Sequence, residues 1–241
     1  MTATFSQEIA GLIPRECLSI AQRDEMFQLL AQHFDGVVRD QFEEDLTEKN
    51  WVIEIRRDHR LLGFSTLLVR EAEFDGNELS VIYSGDTIVA PEAWGTPTLA
   101  RTWISAVNYL RASFGQRPCY WLLLTSGFRT YRFLPVFWRE FYPRHGTTMP
   151  LRVRQLRDHL AQSHYGKQFD AASGIVRFPR PQRLREHLNP LPSGRIHDAD
   201  IAYFLANNPS HANGDELVCL TRIHEDNLTS AGRRMVTRNA P

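Results

Sequence analysis

LSVIYSGDTIVAPEAWGTPT, residues 79–98, decides how this chain is read. Leu79 to Val89 is an apolar run of strand length, and Ser84-Gly85-Asp86 interrupts it in the middle. A glycine inside a strand marks a bulge or a close approach by a ligand or another backbone. Pro91 to Gly95 then breaks the strand. Thr96 followed by Pro97 predicts a helix start, a hydroxyl N-cap with proline in the first helical position. The spacing carries that helix to about Ser113, with Leu99, Trp103, Ala106, Val107 and Leu110 inward.

Outward from this stretch the signals alternate. Upstream, Trp51–Ile55 and Leu61–Val69 read as strands, joined by the polar turn Arg57-Asp58-His59-Arg60. Asp75-Gly76-Asn77 turns the chain into the next strand, so residues 50–90 predict an antiparallel three-stranded meander. Gln22–Phe34 has helical spacing, as does the run from Val38 through Phe42 and Leu46; Cys17–Ile20 reads as a short strand before them. Downstream, Cys119–Leu124 is a buried strand, and Arg129–Tyr142 is helical with Pro135 kinking it or in its first turn. Leu151–Tyr165 is amphipathic, and a loop-rich stretch follows with Pro179, Pro181, Pro190 and Pro192. Ala199–Leu205 predicts a helix and Glu216–Ile223 a strand, and the tail from Ser230 is polar.

At 241 residues, 42% hydrophobic and 23% charged, the chain buries its own core and is neither disordered nor a coiled coil. No window approaches 18 apolar residues and the start MTATFSQEIAG lacks a signal-peptide pattern, so a cytoplasmic protein without membrane contact is expected. A net charge of zero argues against a dedicated nucleic-acid binder. Only Lys49 and Lys167 are lysines among 28 basic residues; the rest are arginines, which suit phosphate or carboxylate recognition and equally follow from GC-rich codons. Cys17, Cys119 and Cys219 are too scattered for a zinc or redox motif and are expected reduced and buried. There is no GxSxG, GxxxxGK[ST], HExxH or GxGxxG. No metal site is expected: His197-Asp198-Ala199-Asp200 reads as a helix opening, where aspartate is favoured.

The order of elements, strand, helix, helix, meander, helix, strand, helix and a later strand, resembles the GNAT superfamily, the GCN5-related N-acetyltransferases. The resemblance covers roughly residues 15–145. Trp51-Val-Ile-Glu-Ile55 and Arg60-Leu-Leu-Gly63-Phe64 are similar to the family's second and third strands, and Thr87 to Gly95 to the end of its fourth strand and the loop after it. It implies an α/β fold with a mixed, mostly antiparallel central sheet flanked by helices. Residues 1–150 would be the acyl-donor-binding core, and 151–241 a C-terminal extension that completes the sheet and covers the acceptor side. In the family the loop after strand four holds the pyrophosphate of acyl-CoA on backbone N–H groups at a helix start, a placement that unpaired amides and the helix dipole favour. Here Trp94, Gly95, Thr96, Thr98 and Arg101 would stand at the phosphate end, and Ile88 and Val89 would pair with the pantetheine arm. Either alignment of the family's Arg/Gln-x-x-Gly-x-Gly/Ala pattern places a proline, Pro97, in a glycine slot.

The implied chemistry is N-acyl transfer from acyl-CoA, or from the phosphopantetheine thioester of an acyl-carrier protein, to a small amine or amino-acid-like acceptor. Asp86 is the implied base that takes the amine proton, and Tyr131 the acid that protonates the leaving thiolate. Residues 129–157 hold seven arginines against one acid, Glu140, and would meet CoA phosphates, an acyl-carrier protein, or only solvent opposite the acidic 35–54 segment. Phe133, Phe137, Trp138 and Phe141 read as core, or as the wall of an acyl pocket broader than acetate needs. Two rival readings remain: the same fold as a non-catalytic ligand- or protein-binding module, and an acyl-homoserine-type lactone synthase.

Overall fold

A computed structural model of the chain describes residues 8–188, 194 and 197–236. The first seven residues, Pro190, Pro192 and the last five residues lie outside the described set.

The elements follow in the order β1 (Glu8–Pro14), α1 (Ile20–His33), β2 (Phe34–Asp35), α2 (Arg39–Thr47), β3 (Trp51–Arg57), β4 (Arg60–Phe74), β5 (Asn77–Val89), α3 (Thr98–Ala112) and β6 (Cys119–Thr125). They continue with α4 (Phe128–Tyr131), α5 (Phe133–Phe137), β7 (Phe141–Tyr142), α6 (Leu151–Tyr165), β8 (Phe169–Asp170), β9 (Ile175–Val176), β10 (Arg183–Leu184), α7 (Ala199–Asn207), β11 (Glu216–Arg222) and α8 (Ser230–Met235).

One nine-stranded sheet runs β1-β3-β4-β5-β6-β11-β9-β8, with β7 beside β11, and β2 and β10 form a separate pair. The fold is therefore mixed α/β, with a mostly antiparallel sheet flanked by helices; β5 and β6 make the parallel junction. Parallel neighbours need a crossover, which α3 supplies. Alternation along the strands sends Val52, Phe64 and Ile88 into a core with α1 and α2, and Val81, Leu122 and Val218 into one with α6 on the same face. Ile53, Ile82, Trp121 and Cys219 face the opposite way, onto α3, α4, α5, α7 and α8.

Four local expectations are corrected. Cys17–Ile20 is not a strand: Ser19 closes a capping box with Gln22, so the helix begins at Ile20 and the strand lies earlier, at Glu8–Pro14. Thr96 does not cap α3; its hydroxyl donates to Ala93 O at 3.1 Å, and Pro97 is the N-cap. The predicted helix 129–142 is two short helices and a strand, because after α5 Phe141 and Tyr142 pair with β11. The polar tail from Ser230 forms α8, which packs on α3, where Ser105 Oγ donates to Met235 O at 3.1 Å. Cys119 and Cys219 are buried free thiols, whereas Cys17 is exposed.

Candidate active site

The site is made by the way β5 and β6 part. Their parallel pairing runs from Ser80↔Cys119 to Ser84↔Leu123 and stops there, although β5 continues to Val89. A cavity of about 1620 Å³ occupies the opening and reaches both faces of the sheet. It is not filled by side chains, as an acyl-transfer site at this point requires.

The parting coincides with a bulge. Ser65 faces Thr87 and Leu67 faces Ser84, so Gly85 and Asp86 together oppose the single residue Thr66. One extra residue reverses the face on which every following side chain lies. Asp86 consequently shares its face with Tyr83, on the α2 and α6 side, instead of pointing into the α3 core. The bulge is braced by Thr87 Oγ1, which shares a hydrogen bond with Ser65 Oγ at 2.8 Å and donates to Gly85 O at 3.2 Å. Position 85 must be glycine: a Cβ there would lie 2.6 Å from Thr66 Oγ1 and 2.7 Å from Lys49 Cε.

Around Asp86 the cavity wall carries Asp45 and Lys49 from α2 and the turn after it, Glu216 from the start of β11, and Tyr83, His164 and Tyr165. Lys49 is 6% exposed; its ammonium donates to Asp45 O at 2.9 Å and lies 5.5 Å from the Tyr83 ring centroid. Burial pushes the Asp86 carboxyl up to about 6, the Asp45 charge adds to the rise, and Lys49 opposes it. Burial also pushes Glu216 up to about 8, with Asp86 contributing. Burial raises Asp45 as well and lowers His164. Both Asp86 and Glu216 keep partial exposure towards the cavity, so water there moderates the desolvation of both carboxyls. At neutral pH Asp86 is thus an ionised carboxylate held near its titration point, and Glu216 is largely protonated.

On the opposite face the cavity is lined by Trp103, Trp121 and Phe133, with Leu99 and Leu123. Its wall also takes in the turn after β5 and the start of α4. There the Arg129 guanidinium stacks over Trp94 at 4.5 Å and over Phe128 at 4.8 Å.

The expected site residues separate into groups. Asp86, Ile88, Val89, Trp94 and Thr96 line the cavity. Gly95 and Arg101 are exposed outside it, and Thr98 donates its hydroxyl to Glu8 Oε2 at 2.6 Å. Tyr131, the expected acid, is corrected: it is fully buried among Phe141 and Phe204, does not line the cavity, and donates to Pro143 O at 3.0 Å. Burial raises its phenol far above the ordinary range. The strand edge is also shifted from the expectation. Ala90 N–H donates to Leu62 O at 2.7 Å, which fixes the phase of the ladder and turns the N–H and C=O of Ile88 to Phe64. Those of Thr87 and Val89 face the opening instead, and Val89 O accepts Trp94 Nε1 at 2.7 Å.

At the start of α3, Trp94 N–H donates to Pro91 O and Thr96 N–H to Ala93 O, both at 3.2 Å. The amides of Gly95, Thr98, Leu99 and Ala100 make no hydrogen bond among the described residues. The arginines of 129–157 do not form one face. Arg132 pairs with Asp198 and Arg152 with Asp75, and Arg157 is buried against Asp158. Among the described residues no group of histidine, cysteine or acidic side chains is arranged to hold a metal ion, and Asp198 caps α7. No described helix is long and apolar enough to cross a membrane. Lys49, Asp45 and Glu216 were not picked out from the sequence as site residues. The one available hint was lysine at position 49 in a chain that otherwise uses arginine almost throughout.

No protein-family model matches the chain, and no curated protein matches it. Among solved structures it is similar to a conserved protein of unknown function from Enterococcus faecalis V583, at 14% identity and a TM-score of 0.41, over 53% of this chain and 31% of that one. A GCN5-related N-acetyltransferase from Kribbella flavida is similar at 14% identity and a TM-score of 0.39, over 52% and 32%. A GNAT family N-acetyltransferase from Escherichia coli, solved in complex with CoA, is similar at 15% identity and a TM-score of 0.40, over 55% and 71%. The match spans about a third of the length of the first two.

Proposed function

We propose that this chain is a divergent GNAT-type N-acyltransferase of the cytoplasm. It moves an acyl group from a pantetheine thioester, on CoA or on an acyl-carrier protein, to a small amine. The observation that carries the reading is the unfilled opening between β5 and β6, with an ionisable carboxylate on a bulge at its inner end and unpaired helix amides at its outer end.

An extended thioester arm replaces the missing strand partner along Thr87 and Val89. Its phosphate end lies at the start of α3, where free N–H groups and the helix dipole favour negative charge. The acceptor amine arrives from the α2 and α6 side, where the Asp86 carboxylate favours a cationic amine. Asp86 takes one proton from the ammonium, the neutral amine nitrogen attacks the thioester carbon, and that nitrogen gives its second proton to the Glu216 carboxylate once Glu216 has protonated the departing thiolate. The tetrahedral centre then collapses, the carbon–sulfur bond breaks, and the thiolate leaves. Glu216, largely protonated at neutral pH, takes over the role of acid from Tyr131.

Isothermal titration with CoA and a set of acyl-CoAs tests the reading. Measurable binding to the unmodified chain, with unimpaired binding by Asp86→Asn, supports it. No heat with any donor, free or carrier-bound, leaves the non-catalytic module standing.

A further inference from the structure

Resting on the acyl-transfer reading above, we propose that the acceptor is an amino acid: its ammonium meets Asp86, and its carboxylate is held by the buried ammonium of Lys49. The transfer step leaves Lys49 unused. Yet this side chain lines the same cavity as Asp86 and is only 6% exposed. A lysine ammonium has three N–H donors and accepts nothing. One donor goes to Asp45 O at 2.9 Å. Glu48 Oε2 lies at 3.8 Å, beyond hydrogen-bond range, and the Tyr83 ring offers only its face. Among the described residues the other donors have no acceptor. A charged donor left unpaired in a buried site is costly, and an anionic oxygen reaching it through the cavity removes that cost.

Placement decides what carries that oxygen. Gly85 has no side chain, and the Lys49 ammonium stands 3.7 Å from where a Cβ would lie. The lysine is thus beside the bulge, against the residue that precedes the proposed base. The charges of Lys49 and Asp86 act on each other, but the two form no ion pair among the described residues. A gap therefore separates a group that attracts an ammonium from one that attracts a carboxylate. An amino acid carries both of its charged groups on one carbon and bridges such a gap without adding net charge. A plain amine satisfies Asp86 and leaves the lysine donors bare.

A second cation reinforces the choice. Arg180, from the segment between β9 and β10, also lines the cavity, and its side chain makes no hydrogen bond or ion pair among the described residues. Burial raises the Asp45 carboxyl, and the charges of Lys49 and Arg180 both oppose that rise, so the two cations stand near one another around it.

The test follows thiol release by the full chain from acetyl-CoA, hexanoyl-CoA and an acyl-carrier thioester. The acceptors are the common amino acids and the α-carboxamide of each, which keeps the amine and loses the carboxylate charge. At least one amino acid is expected to be acylated, with kcat/KM about tenfold or more above that of its amide, because hydrogen bonds between charged groups are strong. Lys49→Met keeps the buried stem without the charge and is expected to bring this ratio close to one. Each ratio is internal to one variant, so a shift in the charge of Asp86 cancels from it. Where the methionine variant fails to fold, Lys49→Gln carries the same expectation. A ratio near one in the unmodified chain, or a ratio that the variants leave unchanged, overturns the role of Lys49. CoA binding or acylation of amides, with no amino acid acylated, also overturns it and leaves the acyl-transfer reading intact. No binding of CoA or of any thioester, free or carrier-bound, overturns both.

Discussion

The indole N–H of Trp94 donates to the carbonyl of Val89 at 2.7 Å, so one backbone acceptor that faces the β5–β6 opening is already occupied by a side chain from the loop beyond it. An incoming arm that pairs with this edge competes with the indole. Trp94→Phe keeps a ring for Arg129 to stack on and frees the carbonyl. With a net hydrogen bond worth about 1 kcal/mol, CoA affinity by calorimetry is expected to rise about fivefold. Weaker binding would instead make the indole part of the donor site.

With Asp86 as the proposed base, turnover is expected to follow its charge state. Folding raises this carboxyl from 3.8 to about 6, so the base becomes active as pH rises through about 6. Asp45→Asn removes a charge that raises it and moves the acid limb of the rate profile to lower pH. Lys49→Gln removes the opposing charge and moves the limb up. An unchanged limb in both variants removes Asp86 from the mechanism.

The same group costs stability. A carboxyl whose pKa is higher in the folded state binds its proton more tightly there. Its contribution is complete below about pH 4 and lost as pH rises through about 6. Asp86→Asn is therefore expected to stabilise the protein at pH 7, by on the order of 1 kcal/mol after allowing for partial exposure, while turnover falls. Urea denaturation at pH 4 and pH 7 measures the difference; equal effects at both would exclude a charge origin.

Gly85→Ala is expected to destabilise by about 1–3 kcal/mol, because its methyl group meets Thr66 Oγ1 at 2.6 Å on a buried strand. Lys49 has a flexible stem and swings aside, so the acid limb rises as in Lys49→Gln. A fully stable alanine variant would show that the bulge relaxes freely.

Tyr131→Phe separates packing from chemistry. It loses a buried hydrogen bond to Pro143 O, at a cost of about 1 kcal/mol in thermal or urea denaturation, and leaves turnover unchanged. A large loss of turnover without loss of stability would restore the hydroxyl to the reaction.

Gly95→Glu probes the outer end. A Cβ at this position meets nothing within 4 Å, so folding tolerates it, and the added carboxylate opposes a phosphate at the start of α3. CoA binding is expected to be lost with the melting temperature unchanged; intact affinity places the phosphates elsewhere.

The parts of this site that are legible in the sequence are local. Ser84-Gly85-Asp86 breaks an apolar strand, and the break is the bulge. Pro91 to Gly95 break the chain just after the strand ends at Val89, and the crossover helix begins at Thr98, within two residues of its expected start. The missed parts depend on distance or phase. Tyr131 and Phe133 both sit on a helical run, and periodicity does not say which ring meets the cavity and which meets a carbonyl twelve residues on. Glu216 opens an apolar strand and looks like a solvent-facing end; only the pairing of β11 with β6 brings it opposite Asp86. Ile88 and Val89 both lie at the end of β5, but which of them faces the opening depends on the ladder phase, set by Ala90 and Leu62.

The short parallel junction has a mechanical consequence. Among the described residues only five residue pairs, Ser80↔Cys119 to Ser84↔Leu123, join the four strands β1, β3, β4 and β5 to the rest of the sheet by ladder hydrogen bonds. A donor lying along the open length, as proposed, would extend that seam and stitch two parts of the sheet together as it is recognised. Saturation at a hundredfold excess over the dissociation constant then adds about 2.7 kcal/mol of resistance to unfolding.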